Sequence, residues 1–310
     1  LNDTDVNAMD KVLTLIDEKT CLEESYVIEV MSAMAKMGAT VNTPEWLHYN
    51  TAADLKFCGI GCNDARDIAH EVSCSNKKID AIAQQTQGRR KKLLIADMES
   101  TIIENEMLDE LAEDAGIHDQ IADITMRAMN GEIDFETAIE ERVKLLAGLN
   151  TCALHNTARR ICITEGAEQL ITTMKSEGAY CALVSGGFTF YTSNIRLRLG
   201  FDFDQANELE IIDEKLTGQV IKPILGRSAK ENRLRALCKQ QNIPLSATMA
   251  VGDGANDLAM LAIAGLGVAF HAKPIVAEKS ETRVNHNSLT ALLYLQGYKI
   301  EDFAIRDFCR

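Results

Sequence analysis

Residues 93–101 read LLIADMEST, an apolar run that ends on the carboxylate of Asp97 and passes into a polar turn. A short apolar run bounded by turn residues is typical of a buried strand. In α/β proteins, a carboxylate at the carboxyl end of such a strand is well placed to act as a nucleophile or a metal ligand. We therefore predict that Asp97 lies at a strand-to-helix turn in a functional site.

The chain beyond this run alternates short apolar segments with helical patterns. Strands are predicted at residues 93–96, 180–184, 248–251 and 267–270, and helices between them at 165–176, 228–241 and 257–264. This alternation predicts an α/β fold with a doubly wound, Rossmann-like parallel sheet. In such a sheet, the site lies at the carboxyl ends of the strands.

The segment between the first two predicted strands is too long for a single crossover helix. Residues 97–179 show no convincing strand and carry helical patterns at 104–115 and 135–146. We predict an inserted helical cap over about residues 104–164.

A polar stretch marks a candidate domain boundary. Residues 84–88 read QQTQG and are followed by RRKK at 89–92, so few apolar contacts could cross this segment. The sequence predicts a small N-terminal α/β accessory domain over residues 1–88 and a second domain over residues 89–310.

Composition excludes several classes of protein. The 310 residues are 46% apolar and 25% charged, which is ordinary for a globular protein. The net charge of -14 removes the nonspecific attraction that drives nucleic-acid binding. An anionic substrate would therefore need a local cation or a metal ion.

Location in the cell is predicted from three features. The nine cysteines show no zinc-finger spacing, which indicates reduced thiols. The first residues are acidic and polar, unlike a secretory signal. The longest apolar run, residues 258–270, is too short to span a bilayer as a helix. We expect a cytoplasmic protein with no membrane partner.

Four segments place polar groups at the predicted strand ends or helix starts: Asp97, VSGG at 184–187, Lys230 and VGDGAND at 251–257. Glycines let backbone N–H groups approach an oxyanion, and the Ser185 hydroxyl can donate as well. Asp97 and Asp253 together suit Mg²⁺. Each segment alone is usually a turn or a loop. In this order they predict a phosphoryl-transfer site with a carboxylate nucleophile, a metal and a charge-neutralising lysine.

The order of these segments resembles the haloacid dehalogenase-like phosphatases, most closely their phosphoserine phosphatase branch of the bacterial two-domain type. The resemblance covers about residues 91–302 and includes VSGGF at 184–188, AVGDGAND at 250–257 and AKP at 272–274. It implies Mg²⁺-dependent hydrolysis of O-phospho-L-serine through an aspartyl-phosphate, the last step of serine biosynthesis. It also suggests a regulatory fold of the ACT type for the N-terminal module.

The resemblance also implies a role for each matching residue. Asp97 would attack the phosphorus, and Lys230 would steady both the nucleophile and the phosphate. Mg²⁺ would be held by Asp97, Asp253 and the backbone carbonyl of Glu99, with Asp257 supporting the metal shell. The phosphate would be bound by Ser185, Gly186 and Asn256.

The charges of phosphoserine give a further expectation. Beyond its phosphate, this substrate carries an ammonium and a carboxylate, so its site needs one anion and one cation. Glu106 and Arg142 of the predicted cap match the family at these positions, and Arg suits a carboxylate by bidentate pairing. Met129 and Phe135 match family residues that close over the substrate and exclude water. From the residues alone, a solvated helix face remains the alternative for Glu106 and Arg142.

Glu99 departs from the family pattern, which has an Asp that protonates the leaving serine oxygen and then activates water. Glu keeps the carboxylate but adds one methylene, about 1.5 Å of reach. A misplacement of about 1 Å can cost roughly 10²-fold in rate. We hypothesise that the site assembles but turns over slowly.

Two alternatives remain open. One is a phosphoserine-binding or regulatory protein with impaired catalysis, and the other is a phosphatase of another small phosphomonoester. The expected partner is a small-molecule substrate, and a homodimer is compatible with the sequence.

Overall fold

The computed structural model describes residues 9–19, 21–72, 78–130, 132–226 and 228–305, without the side chain of Met129. The described chain forms two compact units. Unit 1 gathers the described parts of residues 1–92, 165–179 and 268–310, and unit 2 contains those of residues 93–164 and 180–267. The boundary at residue 88 stays a prediction.

Unit 1 begins with a βαβββαβ arrangement. Its elements are β1 (Lys11–Ile16), α1 (Glu24–Lys36), β2 (Thr40–Val41), β3 (Glu45–His48), β4 (Ala52–Cys58), α2 (Cys62–Val72) and β5 (Asp80–Gln85). The strands pair antiparallel in the order β2-β4-β1-β5, and β3 also pairs with β4. Leu13 and Leu15 of β1 share one core with Val27, Val30 and Met34 of α1. The alternating apolar positions of β1 thus bury one face of the sheet against a helix. Assignment of this module to the ACT type remains a prediction.

The later segments of unit 1 add helices and a parallel strand pair. They are α7 (Ala167–Ser176), β11 (Leu266–Phe270, with its last three residues in this unit), α11 (Pro274–Lys279), β12 (Thr282–Val284) and α12 (Ala291–Leu295). Residues 268–270 of β11 pair in parallel with β12.

Arg89 joins the N-terminal sheet of unit 1 to its C-terminal segment. Its Nη1 and Nη2 donate to the two carboxylate oxygens of Asp54, at 2.6 and 3.2 Å. Its Nε and Nη2 also donate to the backbone carbonyls of Leu295 and Tyr294, both at 3.1 Å. The side chain of Asp54 is 2% exposed, so this is a buried, bidentate ion pair.

Unit 2 contains the predicted α/β sheet. Its strands are β6 (Leu93–Ala96), β7 (Tyr180–Phe188), β8 (Phe203–Ile212), β9 (Lys215–Ile221) and β10 (Thr248–Gly252). They lie in the order β10-β6-β7-β8-β9, with all neighbours parallel except the antiparallel β8–β9 pair. All four β6 residues are fully buried, which explains the continuous apolar run of the sequence. The predicted α/β fold class with a parallel sheet is confirmed.

Four helices fill the chain between β6 and α7, as the predicted cap requires. They are α3 (Met107–Ala115), α4 (His118–Met129), α5 (Phe135–Lys144) and α6 (Cys152–Arg159). The remaining helices of unit 2 are α8 (Thr189–Leu199), α9 (Ala229–Gln241) and α10 (Leu258–Ile263). The cap limits of 104 and 164 stay a prediction. Among the residues that the structure describes, no helix has the length and apolar character needed to cross a membrane.

We predict that Arg89→Met lowers the free energy of unfolding by roughly 3–5 kcal/mol, because it leaves the buried Asp54 carboxylate without its cation. The double variant Arg89→Met with Asp54→Leu should lose less free energy of unfolding than Arg89→Met alone, since no unpaired charge is left. Urea unfolding measures both effects.

The matched control is Lys299→Met, which removes the cation from the exposed pair with Glu45. It should cost less than about 1 kcal/mol. A double variant as unstable as Arg89→Met would contradict this account of the buried pair.

Candidate active site

Asp97 lies directly after β6, at the point where the chain leaves the sheet. Its N–H donates to the Val251 carbonyl of neighbouring β10 at 3.0 Å, which continues the strand pairing through this residue. Its carboxylate oxygen Oδ1 accepts from the N–H of Met98 at 2.7 Å. The chain leaves β6 for β7 on one side and reaches β10 on the other, and this reversal of strand order forms the crevice where α/β sheets bind ligands.

Lys230, in the first turn of α9, lies between two buried carboxylates. Its Nζ is 2.7 Å from Asp97 Oδ2 and 2.5 Å from Asp257 Oδ1. Burial alone would lower the pKa of Lys230, but the charges of Asp97 and Asp257 raise it on balance. Burial and the Asp97 charge raise the pKa of Asp257 to about 7. The lysine is thus held as a cation against the nucleophile predicted from the sequence.

Three carboxylates converge on this point. Oxygens of Asp97, Asp253 and Asp257 lie within 4.8 Å of one another, and all three residues are buried. The second oxygen of Asp257 accepts from the N–H of Gly254 at 2.9 Å. A Cβ on Gly252 would lie 2.4 Å from the Asp257 carboxyl carbon, so only glycine allows this approach. Three acidic groups against one lysine form an all-oxygen donor set, which fits a hard divalent cation such as Mg²⁺.

The predicted phosphate-binding residues lie beside this cluster. The SGG loop, residues 185–187, lies near the end of β7, and the Gly187 N–H donates to Ser185 Oγ at 2.9 Å. We use the name SGG cavity for the space lined by Phe135, Val184, Ser185, Gly186, Leu225, Gly226, Ala229, Lys230 and Asn256. Cap and sheet both contribute, because a Cβ placed on Gly186 would lie 3.4 Å from Phe135 Cζ.

Glu99 lies between the cap and the SGG loop. Its Oε1 accepts from the N–H of Met107, the first residue of α3, at 3.0 Å. A helix start leaves its first N–H groups without intrahelical partners, and a carboxylate stabilises that end. On the other side, a Cβ on Gly187 would be 3.0 Å from Glu99 Oε2. Burial and then the nearby Glu106 charge raise the pKa of Glu99 to about 8.

Glu106 and Arg142, the residues predicted to bind the ammonium and carboxylate of the substrate, interact through their charges. Glu106 Oε1 accepts from Ser100 Oγ at 2.7 Å. Arg142 is half-buried and donates from Nε to the Ala138 carbonyl of its own helix at 3.1 Å. Burial lowers the pKa of Arg142, whereas the charges of Asp109, Glu99 and Glu106 oppose that shift. The charges of Glu99 and Glu106 therefore act on the Arg142 guanidinium.

Sequence reasoning missed Ser100, which has a φ of +53°. Serine in a turn often bonds locally through its hydroxyl, and this was the available signal. Met129 lies at the end of α4, but its side chain is outside the described residues, so its predicted contact with substrate stays a prediction.

Comparisons with known proteins identify the family of this chain. The family model for haloacid dehalogenase-like hydrolases matches residues 94–262. A phosphoserine phosphatase of Streptomyces coelicolor is 41% identical over 258 residues, which are 83% of this chain and 63% of the relative. This chain thus spans less than two thirds of that relative's length.

Two solved structures are also similar. A hydrolase of the same family from Salmonella enterica serovar Typhi has a TM-score of 0.82 at 28% identity and covers 93% of this chain and 98% of its own. A phospho-aspartyl intermediate analogue of phosphoserine phosphatase has a TM-score of 0.62 at 41% identity and covers 66% of this chain and 98% of its own. The chain belongs to the haloacid dehalogenase-like hydrolases. The resemblance predicted from the sequence is confirmed.

We predict that Gly187→Ala is coupled to the length of the residue-99 side chain. The new methyl group displaces the Glu99 carboxylate and weakens its bond to Met107, so melting temperature and activity should fall. In a Glu99→Asp background the shorter side chain leaves room for the methyl group. Gly187→Ala should then lower the melting temperature and the activity by less.

Thermal unfolding of the four proteins in this double-mutant cycle gives the coupling free energy, which we expect to be about 1 kcal/mol. Additivity within about 0.3–0.5 kcal/mol would show that the two side chains do not compete for this space.

Proposed function

We propose that this chain is a Mg²⁺-dependent phosphatase that hydrolyses O-phospho-L-serine to serine and phosphate. The observation that carries the proposal is the contact of Lys230 with both Asp97 and Asp257, beside the SGG cavity. Relatives named phosphoserine phosphatase, at about 40% identity, support the choice of substrate. In this proposal the enzyme acts in the cytoplasm, in the last step of serine biosynthesis.

Asp97 is the proposed nucleophile. One of its carboxylate oxygens attacks the phosphorus, and the bond from phosphorus to the serine oxygen breaks as an aspartyl-phosphate forms on Asp97. Lys230 lies 2.7 Å from the Asp97 carboxylate and reduces the repulsion between two anions. Ser185, Gly186 and Asn256 line the cavity where the transferring phosphate oxygens would be held.

Mg²⁺ fits the acidic cluster. Asp97, Asp253 and the backbone carbonyl of Glu99 are its proposed ligands, and Asp257 supports this shell while it holds Lys230. When bound, the ion would neutralise charge on the phosphoryl group.

Glu99 is the proposed proton carrier. It gives a proton to the leaving serine oxygen, then takes one from the water that attacks the aspartyl-phosphate, which releases phosphate and restores Asp97. The hydrogen bond from Met107 holds the Glu99 carboxylate at the start of α3 and so restrains its movement toward the leaving oxygen. This contact supports the slow-turnover hypothesis. It also favours the second candidate, a phosphoserine-binding protein with impaired catalysis.

Recognition of the amino-acid end is assigned to the cap. Glu106 would pair with the ammonium, and Arg142 with the carboxylate. Ser100 holds the Glu106 carboxylate in place by its 2.7 Å hydrogen bond. Phe135 and Met129 are the proposed cover over the substrate. An accessory role for residues 1–88 and a homodimer remain part of the proposal.

We predict that Glu99→Asp raises kcat for L-phosphoserine by about 10- to 100-fold, because it shortens the proton carrier by one methylene. Phosphate release is measured with Mg²⁺ and again with excess chelator, which should abolish it. Glu104→Asp, the same change at an exposed neighbouring residue, is the control and should leave kcat unchanged.

Equal kcat values for the wild type and Glu99→Asp would contradict the slow-turnover hypothesis. Phosphoserine binding without hydrolysis in both proteins would favour the second candidate.

We predict that Glu106→Gln and Arg142→Gln raise KM for L-phosphoserine by roughly tenfold or more, because each removes a charged partner of the amino-acid end. KM for p-nitrophenyl phosphate, which has no ammonium or carboxylate, should change less than about twofold. Glu113→Gln, an exposed change on α3, is the matched control. Parallel losses on both substrates would reject the assignment of phosphoserine.

A further inference from the structure

Asn207 is a buried amide on β8 that contacts both walls of the SGG cavity. Its exposed fraction is 1%. Its Nδ2 donates to the Gly186 carbonyl at 2.8 Å, and its Oδ1 accepts from the Leu225 N–H at 2.8 Å. Gly186 and Leu225 both line the cavity, although they belong to separate segments of the chain.

The first of these contacts replaces a missing backbone pairing. Strands β7 and β8 pair at Val184 with Gln205 and again at Phe188 with Asn207, so three residues of β7 face only one of β8. The SGG loop therefore leaves the regular ladder, which turns its backbone toward the cavity. A loop that leaves its ladder needs another anchor, because a buried carbonyl without a partner is costly. The Asn207 side chain supplies that anchor at Gly186.

The second contact fixes the opposite wall. Leu225 lies in the irregular segment between β9 and α9, a short distance before Lys230. Its N–H has no strand partner there and is satisfied by Asn207. One neutral amide thus ties the loop before the catalytic lysine to the loop that would bind phosphate. An amide can donate to one wall and accept from the other, whereas a carboxylate cannot donate and an aliphatic side chain can do neither.

We propose that Asn207 is a positioning residue that sets the separation of the two walls of the SGG cavity, and thereby its affinity for a phosphoryl group. This role rests on the proposed function, because a phosphate is the group that the cavity would hold. Asn207 touches no reacting atom and acts through Gly186 and Leu225.

The experiment titrates inorganic phosphate, with Mg²⁺ present, into the full chain by calorimetry. Asn207→Leu keeps the size of the side chain and loses both hydrogen bonds. We expect its phosphate affinity to fall roughly tenfold or more, and KM for L-phosphoserine to rise by a similar factor while kcat changes less.

The matched control is Gln205→Leu. Gln205 is an amide two residues earlier on the same strand, and its Oε1 accepts from Arg233 of α9 at 2.5 Å. It also joins β8 to α9 but does not line the cavity, so its loss should alter the melting temperature with little change in phosphate affinity. An equal loss of affinity in Gln205→Leu would show a merely structural role and overturn the proposal.

A second variant keeps the test decisive if Asn207→Leu does not fold. Asn207→Ala also removes both hydrogen bonds but leaves room for water beside the Gly186 carbonyl and the Leu225 N–H, so it should fold and still lose phosphate affinity. Affinity within about twofold of the wild type in either variant would overturn the proposal.

Phosphate titration also separates this role from the proposed function. Suppose that the wild type binds phosphate, that the Asn207 variants bind it weakly, and that the wild type does not hydrolyse phosphoserine. This result would support the Asn207 role and contradict the proposed function. Wild-type protein that binds no phosphate would overturn the Asn207 role itself.

Discussion

The placement of Lys230 between Asp97 and Asp257 is the constraint on which the site depends. Its Nζ lies within 2.7 Å of both carboxylates, and the three side chains are almost completely buried. Removing one member of such a group leaves an uncompensated charge, which typically costs about 3–5 kcal/mol. The group can therefore form only when β6, the loop after β10 and the start of α9 are all in place. This requirement ties these three segments to one another in unit 2.

Much of this fold could be predicted because burial leaves a local pattern. Strand β6 was predicted with its observed bounds, since a strand buried on both faces is a continuous apolar run. Strand β7 extends to Phe188 rather than Val184, because the SGG loop reads as a turn by composition. Helix α3 begins at Met107 rather than at residue 104, because its first N–H is satisfied by Glu99, a partner that a local pattern does not show. The grouping of residues 268–305 with the N-terminal sheet depends on distant contacts such as Arg89 with Leu295.

The site could be predicted as a set of residues but not as a set of contacts. Asp97, Ser185, Gly186, Lys230, Asp253 and Asn256 were identified by residue type and order, and the structure brings them together. Asn207 was missed because it acts through residues distant in the sequence, and Ser100 because its bond to Glu106 depends on the conformation of the turn between them. The Glu99 substitution was visible at once, whereas its position between Met107 and Gly187 required the fold.

The central claim is that Asp97 carries the phosphoryl group during turnover. Its most direct test is mass spectrometry of the protein quenched in acid within milliseconds of mixing with L-phosphoserine and Mg²⁺. The account predicts the added mass of one phosphoryl group on the peptide that contains Asp97. Release of phosphate with Asp97 unmodified at every time point, or the phosphoryl group on another residue, would contradict the account.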